Sequence, residues 1–100
     1  VLSHIRKNIY KTVDIDSLAA ISCLSKDHFI RLFKKEVGTT PLQYINQKKI
    51  EKAQLILITE DIPVKNIAYL LAYEDHSYFN RLFKKITDVT PQQYRELYKK

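Results

Sequence analysis

The strongest constraint on how this chain folds is a segment that occurs twice. Residues 29–45 read FIRLFKKEVGTTPLQYI, and residues 79–95 read FNRLFKKITDVTPQQYR. Ten positions carry the same residue in both copies: Phe29/Phe79, Arg31/Arg81, Leu32/Leu82, Phe33/Phe83, Lys34/Lys84, Lys35/Lys85, Thr40/Thr90, Pro41/Pro91, Gln43/Gln93 and Tyr44/Tyr94. A duplication of this extent within 100 residues indicates two similar structural units.

The residues within and around the repeat predict helices and no strand. The chain has one Gly and three Pro, which leaves few of the turn residues that an all-β chain needs. Each unit has a short stretch of apolar residues at helical spacing, a tight turn, a longer amphipathic helix and then a Thr-Pro pair, which suits the N-cap and first residue of a new helix. This order is typical of a helix-turn-helix unit. We therefore expect an all-α fold of seven helices.

The same patterns divide the chain into three parts. A first helix-turn-helix subdomain covers about residues 3–40, a linker helix about 41–59, and a second subdomain about 62–100. The longer helices of the two units are expected at residues 26–37 and 76–87. At 1.5 Å per residue, the linker helix and its flanking turns could set these two helices about one turn of a DNA duplex apart, ~34 Å.

The overall charge favours an anionic partner. The formal net charge is +6 and the isoelectric point about 9.4, a balance that suits nucleic acid, an acidic lipid surface or an acidic protein.

No apolar run approaches the roughly 20 residues that span a bilayer. The single cysteine, Cys23, cannot form an internal disulfide, which fits a reducing cytoplasm, and we expect it to be a small packed residue near a turn. No metal-ligand spacing, catalytic grouping or cofactor motif is visible, so the chain is not expected to be an enzyme.

The repeated longer helix has two contrasting faces. At about 100° per residue, its Phe and Leu positions and Val37 or Ile86 form an apolar stripe that faces the core. The opposite face of the first copy carries Asp27, Ile30, Arg31 and Lys34, and that of the second carries Ser77, Asn80, Arg81 and Lys84, with His76 beside the helix start. A recognition helix in the major groove of DNA places its base-reading side chains on such a face.

The side chains on this face have the chemistry for reading DNA. Arg31 and Arg81 can each form a bidentate contact to guanine, and Asn80 can do the same to adenine. Ile30 could pack on a thymine methyl group or be a partly covered residue at the edge of the core, and both interpretations stay open. Six lysines are expected to contact phosphates, which positions the protein without specifying sequence: Lys34, Lys35, Lys48, Lys49, Lys84 and Lys85. For Lys35 and Lys85, which lie toward the flank of the face, simple solvation is the competing interpretation.

The chain resembles the DNA-binding domain of AraC/XylS-type transcriptional regulators over essentially its whole length. The resemblance rests on LAAISCLSKDHFIRLFKKEVGTTPLQYI, KKIEKAQLILITEDIPVKNIAYLLAYED and HSYFNRLFKKITDVTPQQYR. It implies two homeodomain-like helix-turn-helix subdomains joined by one long helix, which bind double-stranded DNA in two successive major-groove segments. It also implies a regulator of transcription in the bacterial cytoplasm, with a separate effector-binding or dimerisation domain.

The resemblance assigns base-contacting positions and shows three departures. The family's base-contacting positions fall on Asp27, Ile30, Arg31, His76, Ser77, Asn80 and Arg81. Ala72 and Asp88 each stand where the family usually has Gly, and we expect local adjustment there, since Asp tolerates left-handed geometry better than most residues. Asp27 places an acidic group on a surface meant for DNA. It could accept from cytosine N4, or it could make the first unit bind less tightly.

Two other classes of function compete with DNA binding. A helix-turn-helix fold can also be a protein-interaction module, and its basic face could dock on an acidic partner such as RNA polymerase. Binding to a membrane surface is the weaker alternative, because the apolar stripes are needed for the core and leave no apolar face free.

Overall fold

The computed structural model describes residues 1–99, and the regular elements in this part of the chain are all helices, with no strand. The all-α prediction is confirmed. The seven helices are α1 (Leu2–Lys7), α2 (Ile15–Ile21), α3 (Lys26–Val37), α4 (Pro41–Thr59), α5 (Val64–Leu70), α6 (His76–Thr87) and α7 (Pro91–Tyr98).

The chain forms two compact units, with their boundary inside α4. The first unit runs from Val1 to Lys48, and the second begins at Lys49. Helix α4 has the bounds predicted for the linker helix, but its two halves belong to the cores of different units. The division into two subdomains and a separate linker therefore stays a prediction.

The first unit is built around two phenylalanines of α3. Phe29 and Phe33 are buried and their ring centroids lie 5.7 Å apart. The ring of Tyr44, from α4, meets Phe33 edge-on at 5.7 Å, a favoured geometry for aromatic pairs. The core cluster of this unit consists of Ile5, Leu18, Ala19, Phe29, Phe33 and Ile45.

The second unit repeats this arrangement with the matching residues. Phe79 and Phe83 of α6 are fully buried, and Tyr94 of α7 meets Phe83 edge-on at 5.6 Å. The duplicated aromatic residues therefore belong to the packing of the two units, as expected from their spacing. The core cluster of this unit consists of Ile50, Ala53, Ile56, Leu57, Ile67, Ala68, Leu71, Tyr73, Phe79 and Phe83.

The duplicated polar residues of the Thr-Pro segments start the helices that follow them. The Thr40 hydroxyl accepts from the Gln43 backbone N–H at 3.2 Å, and the Gln43 side chain accepts from the Thr40 N–H at 3.1 Å. Thr90 and Gln93 form the same reciprocal pair at 3.1 and 2.9 Å. Each capping box satisfies two backbone donors that the helix itself leaves without partners.

Among residues 1–99, four adopt left-handed backbone geometry, two in each unit. Gly38 and Asp88 end α3 and α6 with φ of 96° and 71°, so Asp88 adopts the left-handed geometry expected of it. Cys23 and Ala72 lie in the turns that precede these helices, with φ of 59° and 66°. Cys23 is exposed, so the prediction of a packed cysteine is wrong.

The buried stripe of the longer helices is narrower than predicted. Leu32 and Ile86 are 39% and 42% exposed, although the helical pattern placed both on the core side. Leu32 lies at the edge of the stripe, and Ile86 lies in the last turn of α6, so the buried residues of each helix are its Phe pair at i and i+4.

Candidate nucleic-acid interface

The predicted reading face of α3 is exposed around Arg31. Asp27, Arg31 and Lys34 are all exposed. The Ser25 hydroxyl caps the helix by accepting from the His28 N–H at 3.2 Å, which fixes the first turn from which these side chains project. Within residues 1–99, the Arg31 guanidinium has no hydrogen-bond or ion-pair partner. Its donors are therefore available to a ligand.

The matching face of α6 has an arginine, Arg81, at the position of Arg31, with different residues around it. Ser77, Arg81 and Lys84 are exposed, while His76 is half-buried. Asp75 caps the helix and accepts from the Ser77 N–H at 2.8 Å. In the described part of the chain, Arg81 has no partner either. The two arginines thus occupy equivalent positions with equally free donors.

Asp27 has a structural role besides the two that the sequence left open. It lies in the first turn of α3, where a carboxylate interacts favourably with the positive end of the helix dipole, by about 0.3–1 kcal/mol at an exposed position. This contribution to the helix gives a reason for an acidic residue on an otherwise basic face.

Ile30 and Asn80 occupy one repeat position, and both are half-buried. Ile30 packs against the core cluster of the first unit, which supports the interpretation of Ile30 as a partly covered edge residue. Asn80 places its side-chain oxygen, Oδ1, in an enclosed position where it has no hydrogen-bond partner in residues 1–99.

Four of the predicted phosphate-contacting lysines are exposed. Lys34 and Lys35 lie in the last turn of α3, and Lys84 and Lys85 lie in the last turn of α6. A cation there also interacts favourably with the negative end of the helix dipole. Lys48 is half-buried, and its ammonium nitrogen lies 5.4 Å from the centre of the Tyr44 ring, which is cation–π distance.

The buried position of Lys49 contradicts the prediction that this residue contacts phosphate. It is only 4% exposed, its Nζ donates to the Leu71 carbonyl oxygen at 2.6 Å and lies 5.3 Å from the centre of the Tyr73 ring. Burial lowers the pKa of Lys49 and raises that of the Tyr73 hydroxyl. The signal was present in the sequence, because Lys49, Ala53 and Ile56 follow one another at helical spacing on the buried face of α4.

Arg95 makes three hydrogen bonds within the second unit that the sequence patterns did not indicate. Its Nε donates to the Leu57 carbonyl oxygen at 3.1 Å, and Nη2 donates to those of Ile62 at 2.6 Å and Glu60 at 3.2 Å. Arg95 therefore satisfies carbonyl groups at the end of α4 and in the segment after it. The first copy of the repeat has buried Ile45 at this position, so the exchange of Ile for Arg was the available signal.

Lys99 reinforces the same segment. Its Nζ donates to the Glu60 carbonyl oxygen at 2.9 Å and forms an ion pair with Asp61. The hydrogen bond and charge of Lys99 lower the pKa of the Asp61 carboxyl group.

The described residues contain no cluster of three or more His, Cys, Asp or Glu side chains that could hold a metal ion. In the same part of the chain, no helix combines the length and apolar character needed to cross a membrane.

The geometry agrees with what comparisons with known proteins show. A family profile described as a helix-turn-helix domain matches residues 18–97, and its members are of the AraC type. The chain belongs to the AraC-type helix-turn-helix family. The matched range includes both reading faces, α4 and both Thr-Pro segments.

Individual relatives of this AraC-type domain are transcription regulators. The chain is 34% identical over 94 residues to the MmsAB operon regulatory protein of Pseudomonas aeruginosa. The aligned stretch covers 94% of this chain and 31% of that protein. The chain thus spans about a third of the length of this curated relative. Relatives of this kind agree with the expectation that the chain is not an enzyme.

Two solved structures share the fold of this chain. The C-terminal domain of AraT, a response regulator from Geobacillus stearothermophilus, is 27% identical with a TM-score of 0.92, covering 98% of this chain and 82% of that one. The DNA-binding domain of AdpA, described as a global transcriptional factor and solved with a target DNA, is 24% identical with a TM-score of 0.91, covering 96% and 86%. At 24% identity, the second likeness shows a common fold.

Proposed function

We propose that this AraC-type domain binds double-stranded DNA at specific sequences as part of a bacterial transcription regulator, with α3 and α6 each placed in a major groove. The observation that carries the proposal is the pair Arg31 and Arg81. Both are exposed at the same position of a capped helix and, within residues 1–99, both lack an intramolecular partner. Two equivalent, unpaired guanidinium groups suit bidentate recognition of guanine.

The lysines of the same helices supply the sequence-independent part of binding. Lys34, Lys35, Lys84 and Lys85 are exposed, and each phosphate that they neutralise releases counterions from the duplex. His76, Ser77 and Asn80 then differ from their counterparts in the first unit, so each unit is expected to prefer its own bases.

The regulator that contains this domain is larger than the chain. The chain spans 31% of the MmsAB operon regulatory protein, which leaves room for an effector-binding or dimerisation domain in proteins of that length. Such a protein would act in the bacterial cytoplasm, at the nucleoid.

The proposal is tested by selecting bound sequences from a random pool of duplexes. We expect two conserved clusters of base pairs about 10–10.5 bp apart. Replacement of Arg81 by Ala should cost about 1–3 kcal/mol of binding free energy and relax preference at a single base pair. Replacement of Lys84 by Ala is the matched control, since it should weaken binding to all sequences alike. A single cluster, or the same effect of both substitutions on specific and random DNA, would show that the assigned roles are wrong.

Docking on an acidic protein such as RNA polymerase is separated from DNA binding by a salt titration. Direct phosphate contacts predict a steep fall in affinity for a duplex as salt increases. If the chain bound no duplex at low salt but bound RNA polymerase, the exposed arginines would belong to a protein-docking surface.

A further inference from the structure

One repeat position holds a residue that suits the fold in the first unit and does not suit it in the second. Ile30 and Asn80 lie at the fifth position of α3 and α6, and both are half-buried. Ile30 packs its apolar side chain on the neighbouring core cluster. The position therefore lies where an apolar side chain gains from being covered.

The side chain of Asn80 gains no hydrogen bond in exchange for its lost water. Its Oδ1 is enclosed, and no donor among residues 1–99 reaches it. A carbonyl oxygen that leaves water without finding a donor destabilises the folded state. Folding alone would favour Ile at this position, as in the first unit, so the amide needs another explanation.

The position of Asn80 supplies that explanation. It precedes the exposed Arg81 on the proposed reading face of α6, and the carboxamide of Asn is the side-chain group that pairs with adenine through N6 and N7. This pairing requires the Asn oxygen to accept from N6 while the Asn nitrogen donates to N7. The enclosed oxygen cannot accept from a base where it lies in the free protein.

We propose that Asn80 makes α6 specific for adenine at one base pair, and that it does so by turning its carboxamide out of the enclosed position when DNA binds. The proposal rests on the function proposed above. Adenine gives the oxygen the donor that it lacks in the free protein. A base without an amino group at that place leaves the oxygen unpaired in either position, which increases discrimination.

The first experiment tests the free protein without DNA. In Asn80→Ile, the equilibrium constant for unfolding, measured by urea denaturation, should fall by about five-fold or more, since the unpaired oxygen is removed. The matched control is Ile30→Asn, which makes the opposite exchange at the same repeat position and should raise this constant. A less stable Asn80→Ile protein would overturn the proposal, because it would show that the amide is well satisfied in the free state.

The second experiment measures base preference by competition between duplexes that differ at single positions. Asn80→Ile should lose about ten-fold preference for adenine at one base pair and leave the other positions unchanged. Asn80→Gln should keep the preference, since Gln offers the same pair of groups. Unchanged preference in a more stable Asn80→Ile protein would overturn the specificity role while DNA binding stands. If the unsubstituted chain bound no duplex at all, the proposed function itself would fall, and this inference with it.

Discussion

The turn between α2 and α3 allows a stability prediction at a single residue, Cys23. Its φ is 59° and its side chain is exposed. Left-handed geometry costs a residue with a Cβ atom about 1–2 kcal/mol, and Gly does not bear this cost. Gly also makes the unfolded chain more flexible, which offsets about 0.4–1 kcal/mol of the gain. Because the exposed side chain contributes little packing, Cys23→Gly should stabilise the chain by about 0.5–1 kcal/mol.

The assay is urea unfolding followed by circular dichroism, in reducing buffer so that the thiol stays free. The expected gain corresponds to a rise in melting temperature of about 2–8 °C for a domain of this size. Cys23→Ala is the matched control, since it removes the thiol but keeps the Cβ atom and the left-handed strain. Its stability should stay close to that of the original chain. If Cys23→Gly were no more stable than Cys23→Ala, the backbone argument would be refuted.

Three further substitutions test contacts within the two units. Thr39→Val should stabilise the chain by about 1 kcal/mol, because the Thr39 hydroxyl oxygen is enclosed without a partner in residues 1–99. The second copy of the repeat carries Val89 at this position. Urea unfolding measures the change in stability, and Val89→Thr should have the opposite effect. The raised pKa of Tyr73 means that the folded state keeps its proton above pH 10, where the unfolded state loses it, so stability should fall by up to about 1.4 kcal/mol per pH unit above that point. In Tyr73→Phe this loss should vanish from the pH dependence of unfolding, and an unchanged alkaline slope would contradict the assignment. Arg95→Met should destabilise the chain by about 2 kcal/mol in the same urea assay, because it leaves the Leu57 and Ile62 carbonyl groups without the donor that Arg95 supplies.

Features that depend on neighbouring residues could be predicted from the sequence. The residue types of Ser25 and Asp75 predict the N-caps of α3 and α6, and that of Gly38 predicts the end of α3, because each needs only a side chain or backbone geometry within a few residues. The free face around Arg31 follows from helical spacing alone. These predictions are correct because local chemistry determines them.

The hydrogen-bond partners of residues that contact distant parts of the chain could not be predicted in this way. Lys49 donates to Leu71, 22 residues away, and Arg95 donates to Leu57, 38 residues away. In both cases a charged side chain satisfies a backbone carbonyl group that packing of the unit brings close. Composition and charge assign such residues to the surface, because they are almost never buried without a partner. Only the folded unit shows which carbonyl group is the partner.

Identity between the two copies has a different cause at different positions. Phe29 and Phe79 are both buried in cores, and Thr40 and Thr90 both cap helices, so folding alone explains why these pairs match. Arg31 and Arg81 are exposed and, within residues 1–99, have no partner.

Folding therefore gives no reason for the two arginines to be the same, whereas a ligand common to both units does. The position before each arginine differs between the two copies, and folding does not explain this difference either. Ile30 suits its unit and Asn80 does not, so the difference between them also lacks an explanation in folding. A duplex offers guanine as a shared target for the arginines and different bases beside it. One kind of ligand thus accounts both for the match at the arginines and for the mismatch next to them.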